Sequence, residues 1–160
     1  MKIIMVLFFL INIRSFAQEK KIIKILNREL AKEIIAQKNH MDRYYGENFE
    51  VLKNFSIKNN RLSLEVKRKS DNGTGVYTEK QEVDLYKIKQ IVKDINIILE
   101  TEPHAVTLTN TKENGEKSVR TTDMFFLHLS YEKQNEFLAD DIVEAFQKAG
   151  YKLKKGFWHD

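Results

Sequence analysis

The residue types that carry chemistry are thinly spread in this chain. Four histidines, His40, His104, His128 and His159, lie far apart, and none has a second His, a Cys or a carboxylate at a ligand spacing such as H-E-x-x-H. A metal site is not indicated, and the absence of cysteine excludes thiol chemistry and a disulfide framework. His128 stands between Leu127 and Leu129, which predicts an imidazole held on one face of a core strand, near Asp123 or His104. Glu136, Asp140 and Glu144 recur every four residues beside Asp141, a spacing that aligns carboxylates for acid/base work. Lys133 and Lys148 flank them, so a solvated helix face with a Glu144–Lys148 pair is the simpler reading. Ser63, Ser118 and Ser130 lie in no G-x-S-x-G elbow, and the segment from Asp71 to Gly75 joins two strands instead of opening a phosphate-binding helix. No cofactor motif is present.

The remaining concentration of chemistry is C-terminal. Lys152, Lys154 and Lys155 interleave with Tyr151, Leu153, Phe157 and Trp158. Ammonium groups among aromatic rings suit an anionic surface such as lipid headgroups or acidic glycans, or a partner protein. The expected binding surface is therefore Lys152, Lys154, Lys155, Phe157 and Trp158. The competing expectation folds Leu153, Phe157 and Trp158 back on the sheet and leaves the lysines in water. Lys67-Arg68-Lys69 reads as the guard of a strand edge.

These residues need elements to hold them. Ile22, Leu26, Leu30 and Ile34 recur four apart, with Ile23 and Ile35 alongside, and predict an amphipathic helix over 19–38. Asn39 and Gly46 bracket a polar connection. Phe49, Val51, Phe55 and Ile57 alternate with polar residues, as do Leu62, Leu64 and Val66 after Asn59-Asn60, which together read as a tight hairpin. The turn signal Ser70 to Gly75 leads into a third strand over 76–85. Residues 85–92 fit a helical turn or a strand equally well. Ile95, Ile97 and Leu99, then Val106 and Leu108 beyond Pro103, give two further strands, and Val119 to Leu129 reads as one buried central strand. Ser130 stands where a helix cap belongs, so a helix is expected over 131–149, with Leu138, Ile142, Ala145, Phe146 and Ala149 buried and Gly150 as its stop. The fold class is α+β: an N-terminal helix, an antiparallel sheet or partly open barrel of about six strands over 48–130, a C-terminal helix, and a basic aromatic tail over 150–160.

The first seventeen residues read differently. Lys2 precedes the apolar run from Ile3 to Ile13, and Ser15 and Ala17 place small residues where a signal peptidase cuts, which predicts a signal peptide over 1–17. The apolar run is about half as long as a membrane-crossing helix requires, so no permanent transmembrane segment is expected. Cleavage leaves 143 of the 160 residues as one domain, 18–160, and removal of Lys2 and Arg14 lowers the formal charge from +4 to +2. The basic residues are dispersed, so nucleic acid is not an expected partner.

The final strand and helix, MFFLHLSYEKQNEFLADDIVEAFQKA, and the segment VDLYKIKQIVKDINIILET resemble bacterial members of the pleckstrin-homology-like superfold. There, a series of antiparallel strands is closed by one amphipathic C-terminal helix. The resemblance spans Phe49 to Ala149 and implies a binding scaffold. Trp158 lies beyond the helix and the Asn59-Asn60 turn is too short for a basic inositol-phosphate loop, so phosphoinositide binding is not implied. The expected function is that of an exported, periplasmic or extracellular binding or protein-interaction module without catalysis, its partner unknown. The alternative is a small periplasmic hydrolase whose His128 or His104 meets a carboxylate only in the fold.

Overall fold

The computed structural model describes residues 2–39, with side chains from Ala17 onward, together with 48–70 and 75–159. The expected connection from Asn39 to Gly46 lies almost wholly outside the described residues, as does most of the Ser70–Gly75 turn. The protein is α+β, with an N-terminal helix, a five-stranded antiparallel sheet, a second four-stranded sheet and a C-terminal helix.

Helix α1 (Lys2–Asn39) continues the expected amphipathic helix toward the N-terminus. Its buried positions, Ile22, Ile25, Leu26, Glu29, Leu30, Glu33 and Ala36, follow helical spacing. Among the described residues no helix is long and apolar enough to cross a membrane. Strands β1 (Phe49–Lys58) and β2 (Arg61–Lys69) form the expected hairpin, and Asn59 and Asn60 both take positive φ, the conformation that a two-residue turn between twisted strands requires. Strand β3 (Val76–Asp84) follows. Residues 85–92 hold both expected alternatives in succession: a single 3-10 turn, Leu85–Lys87, capped by the Asp84 carboxylate, and then β4 (Ile88–Lys93).

Strand β5 (Ile97–Thr101) begins after Ile95, which lies exposed in the preceding bend, and β6 (Val106–Lys112) follows. The single buried central strand expected over Val119–Leu129 is instead two strands, β7 (Lys117–Thr122) and β8 (Met124–Phe126), each at the edge of a different sheet, and β7 is exposed. The chain changes sheet at Asp123, whose carbonyl accepts from the Thr101 amide and hydroxyl. The sheets run β1-β2-β3-β6-β7 and β8-β5-β4-β9, so the single sheet or barrel of about six strands is corrected, among the described residues, to nine strands in two open sheets.

Helix α2 (Phe137–Lys148) starts later than expected, and Ser130 does not cap it. Ser130 Oγ donates to Glu33 Oε1 on α1 at 2.8 Å, and the chain from Leu127 to Asn135 stays irregular, with positive φ at His128 and Gln134. Burying Leu127, Leu129 and Asn135 along this stretch takes precedence over the local cap. Gly150, at φ +92°, ends α2 as expected.

The expected tail is structural in part. Tyr151 and Leu153 are buried in the common core, and β9 (Lys154–Trp158) pairs in parallel with β4. Gly156 makes that pairing fit, because a Cβ there would stand 2.6 Å from Val92 Cγ1. One apolar cluster joins both helices and both sheets.

A carboxamide device recurs where β-strands lack a neighbouring strand. Asn27 of α1 donates to the Phe55 carbonyl at 3.0 Å and accepts from the Phe55 amide at 2.9 Å. Gln37 does the same to Phe49, at 3.0 and 3.3 Å. Gln81 of β3 bonds both groups of Phe126 and so ties the two sheets together. A side-chain amide offers the donor and acceptor of a backbone unit, and each arrangement satisfies the edge of a strand that would otherwise be left open.

Candidate functional site

His128 lies in a polar cluster of the interior, away from Asp123 and His104. Its Nε2 is 3.0 Å from Gln81 Nε2 and 3.9 Å from Glu79 Oε1, and its ring packs against Phe49 with centroids 4.9 Å apart. His128 and Glu79 are each only 6% and 5% exposed. Burial, followed by the nearby Arg68 charge, pushes the imidazole pKa down to about 3, so the ring is neutral and its approach to Glu79 is not an ion pair. With Gln81 donating, Nε2 acts as acceptor. Arg68, expected to guard a strand edge, lies on the interior strand β2 and reaches the Glu79 carboxylate at 3.4 Å. A general base needs access to substrate, whereas these groups are engaged with one another and packed between aromatic rings. His104, on a turn with positive φ, meets Thr121 Oγ1 at 3.4 Å and is remote in the fold from that cluster.

The acidic row on α2 pairs with lysines. Lys148 bonds Glu144, as expected for a solvated face, and the contact lowers the Glu144 pKa. Lys155 lies 2.9 Å from both Glu136 and Asp140, whose hydrogen bonds raise the pKa of its ammonium. Lys155 is therefore turned to α2 and is neutralised there.

Trp158 is also committed. Asn135 Oδ1 accepts from Trp158 Nε1 at 3.2 Å and from Lys93 Nζ at 2.8 Å, and the Lys93 ammonium sits 5.6 Å from the indole centroid. Lys93, fully buried on β4, also donates to the Glu132 carbonyl at 2.9 Å. Phe157 is 48% exposed and stacks on His159 at 5.3 Å.

Lys152 and Lys154 remain exposed, and the fold brings Lys89 to them. Gln90 pairs with Lys154 across β4–β9 and with Glu100 across β4–β5. Lys89, Gln90, Glu100, Thr101, Lys152 and Lys154 line one shallow cleft of about 370 Å³. Gln90 Nε2 donates to Glu100 Oε2 at 2.5 Å, and Thr101 Oγ1 donates to the carbonyls of Glu102 and Asp123. Among the described residues, none of the three lysines meets a carboxylate within ion-pair distance. The expected surface of five residues is thus divided: Lys152 and Lys154 gather with Lys89, Lys155 faces α2, Trp158 is bonded inward, and Phe157 is left at the edge strand.

Sequence reasoning missed Lys89, Gln90 and Glu100, because a parallel pairing between the chain end and β4 leaves no local pattern. Lys93 carried a signal that was overlooked: a lone lysine after Ile91 and Val92, where the buried side of a strand continues.

A second cleft, of about 330 Å³, lies between α1 and the irregular segment, walled by Ile35, Ala36, Leu129 and Leu138. Its Glu33 is engaged internally by Ser130 Oγ and by the Tyr131 amide at 3.1 Å. Comparison with family models, curated proteins and solved structures gives no match.

Proposed function

We propose that the chain is an exported, non-enzymatic binding domain whose contact face is the outer side of the second sheet around Lys89, Lys152 and Lys154. The observation that carries this reading is the gathering of three lysines in one cleft without a carboxylate partner among the described residues. Like charges repel, and such an arrangement is relieved by an anionic partner. His128 is buried with Glu79 and packed against Phe49, and the carboxylates Glu136, Asp140 and Glu144 along α2 are paired with lysines, which favours binding over catalysis.

Export belongs to the same proposal. Glu19 Oε1, just past the expected cut after Ala17, accepts from the Tyr151 hydroxyl at 2.5 Å, and Ile22 is the first described residue of α1 in the core. A chain beginning at Gln18 keeps both contacts. The pleckstrin-homology-like reading also belongs here, supported by antiparallel strands followed by a packed helix; β9, in parallel after that helix, is an addition to that pattern. The test of export is mass spectrometry of the protein recovered outside the cytoplasm. A mature chain starting at Gln18 is expected, and protein confined to the cytosol with Met1 or its immediate neighbours retained contradicts it.

A further inference from the structure

The charge and shape of the lysine cleft carry the proposed reading one step further, to the chemistry of the ligand. We propose that Lys89, Lys152 and Lys154 bind a phosphomonoester group. Three lysines and Glu100 leave the cleft with a net charge of +2. A phosphomonoester carries about −1.5 to −2 at neutral pH and matches that charge, whereas a single carboxylate leaves part of it uncompensated. The cations are lysines, compact point charges that bind phosphate oxygens from several directions. Among the described residues no arginine lines the cleft to present the planar fork that recognises a carboxylate in two-point fashion.

The neighbours keep the lysines available. Glu100, the one acid among the described residues of the cleft, is engaged by Gln90, and Glu136 and Asp140 along α2 are taken by Lys155. Lys154 is set by the β4–β9 register opposite Gln90, and Lys152 precedes the buried anchor Leu153. The β4–β9 pairing therefore fixes the Cα positions of Lys89 and Lys154, and the burial of Leu153 that of Lys152, while all three side chains stay exposed. The phosphate can come from a soluble phosphomonoester or from a lipid that displays one.

The inference rests on the proposed contact face, and inorganic phosphate tests it without an identified ligand. Titration of the full chain, followed by amide chemical shifts, should show saturable binding with the largest shifts around Lys89, Lys152 and Lys154. Replacement of any one by Ala should weaken binding about fivefold, the effect of one unit charge at contact distance in water. Lys53→Ala, an exposed lysine paired with Glu65 on the other sheet, should change nothing. Phosphatidylcholine vesicles with and without phosphatidic acid distinguish the sources: binding only with phosphatidic acid assigns the lipid, and phosphate binding without vesicle binding assigns the soluble ester. Unsaturable binding, or equal weakening by Lys53→Ala and Lys154→Ala, overturns the proposal. A partner captured at position 154 despite absent phosphate binding would retain the contact face and reject only this ligand.

Discussion

Asn135 and Lys93 form a buried pair in which one amide oxygen, Asn135 Oδ1, receives the Lys93 ammonium at 2.8 Å and the Trp158 indole N–H at 3.2 Å. This single acceptor joins β4, the segment before α2, and β9. Replacing Asn135 with Ala removes the acceptor while the charge remains buried, and is expected to cost about 2–3 kcal/mol. Lys93→Met removes the charge as well and should cost less. Urea unfolding of both variants checks the order, and equal losses would show that the Asn135 contact is not what offsets the burial of Lys93.

The close passage of β9 over Val92 predicts a specific rescue. Gly156→Ala should destabilise by about 1–3 kcal/mol through overpacking, since the added Cβ meets Val92 Cγ1. Val92→Ala in the same chain should recover part of that loss. Thermal unfolding of the two single variants and the double variant measures the coupling; simple additivity would count against the proposed collision.

The carboxamides on strand edges predict another effect. Asn27→Leu leaves the Phe55 amide and carbonyl without their partner and should cost about 1–3 kcal/mol. Hydrogen exchange at the Phe55 amide should accelerate with it. Unchanged protection would mean that Asn27 does not close that edge.

His128 predicts a pH dependence with a definite sign. Its folded pKa, about 3, lies below the ordinary histidine value of about 6.5, so unfolding takes up a proton between those limits. The contribution of the neutral imidazole to stability is fully present above pH 6.5 and is lost as pH falls toward 3, by about 1.4 kcal/mol per pH unit. Asn tolerates the positive φ at this position. The stability of His128→Asn should therefore fall less steeply over pH 4–6, and parallel curves for the two proteins would refute the assignment.

Much of the fold is legible where periodicity is local. The 3.6-residue spacing from Ile22 to Leu30, the Asn59-Asn60 hairpin and the alternation of Leu62, Leu64 and Val66 each specify their own geometry. The apolar run from Met124 to Leu129 misleads because it lies wholly beyond the change of sheet at Asp123, whereas β7 before it is an exposed edge strand whose pattern carries no mark of the break. Ser130 has the chemistry of a cap, yet its hydroxyl goes to Glu33, nearly a hundred residues earlier in the chain. The C-terminal lysines are visible as a group, but only pairing with β4 separates Lys152 and Lys154 from Lys155 and adds Lys89.

The contact face is tested most directly by photo-crosslinking in cells that produce the full chain, with a photoreactive residue in place of Lys154 or, on the opposite sheet, Lys53. The account predicts an adduct at position 154 that Lys89→Glu and Lys152→Glu abolish, and none at position 53. Adducts of equal yield at both positions, or an adduct at 154 indifferent to the two charge reversals, would contradict it.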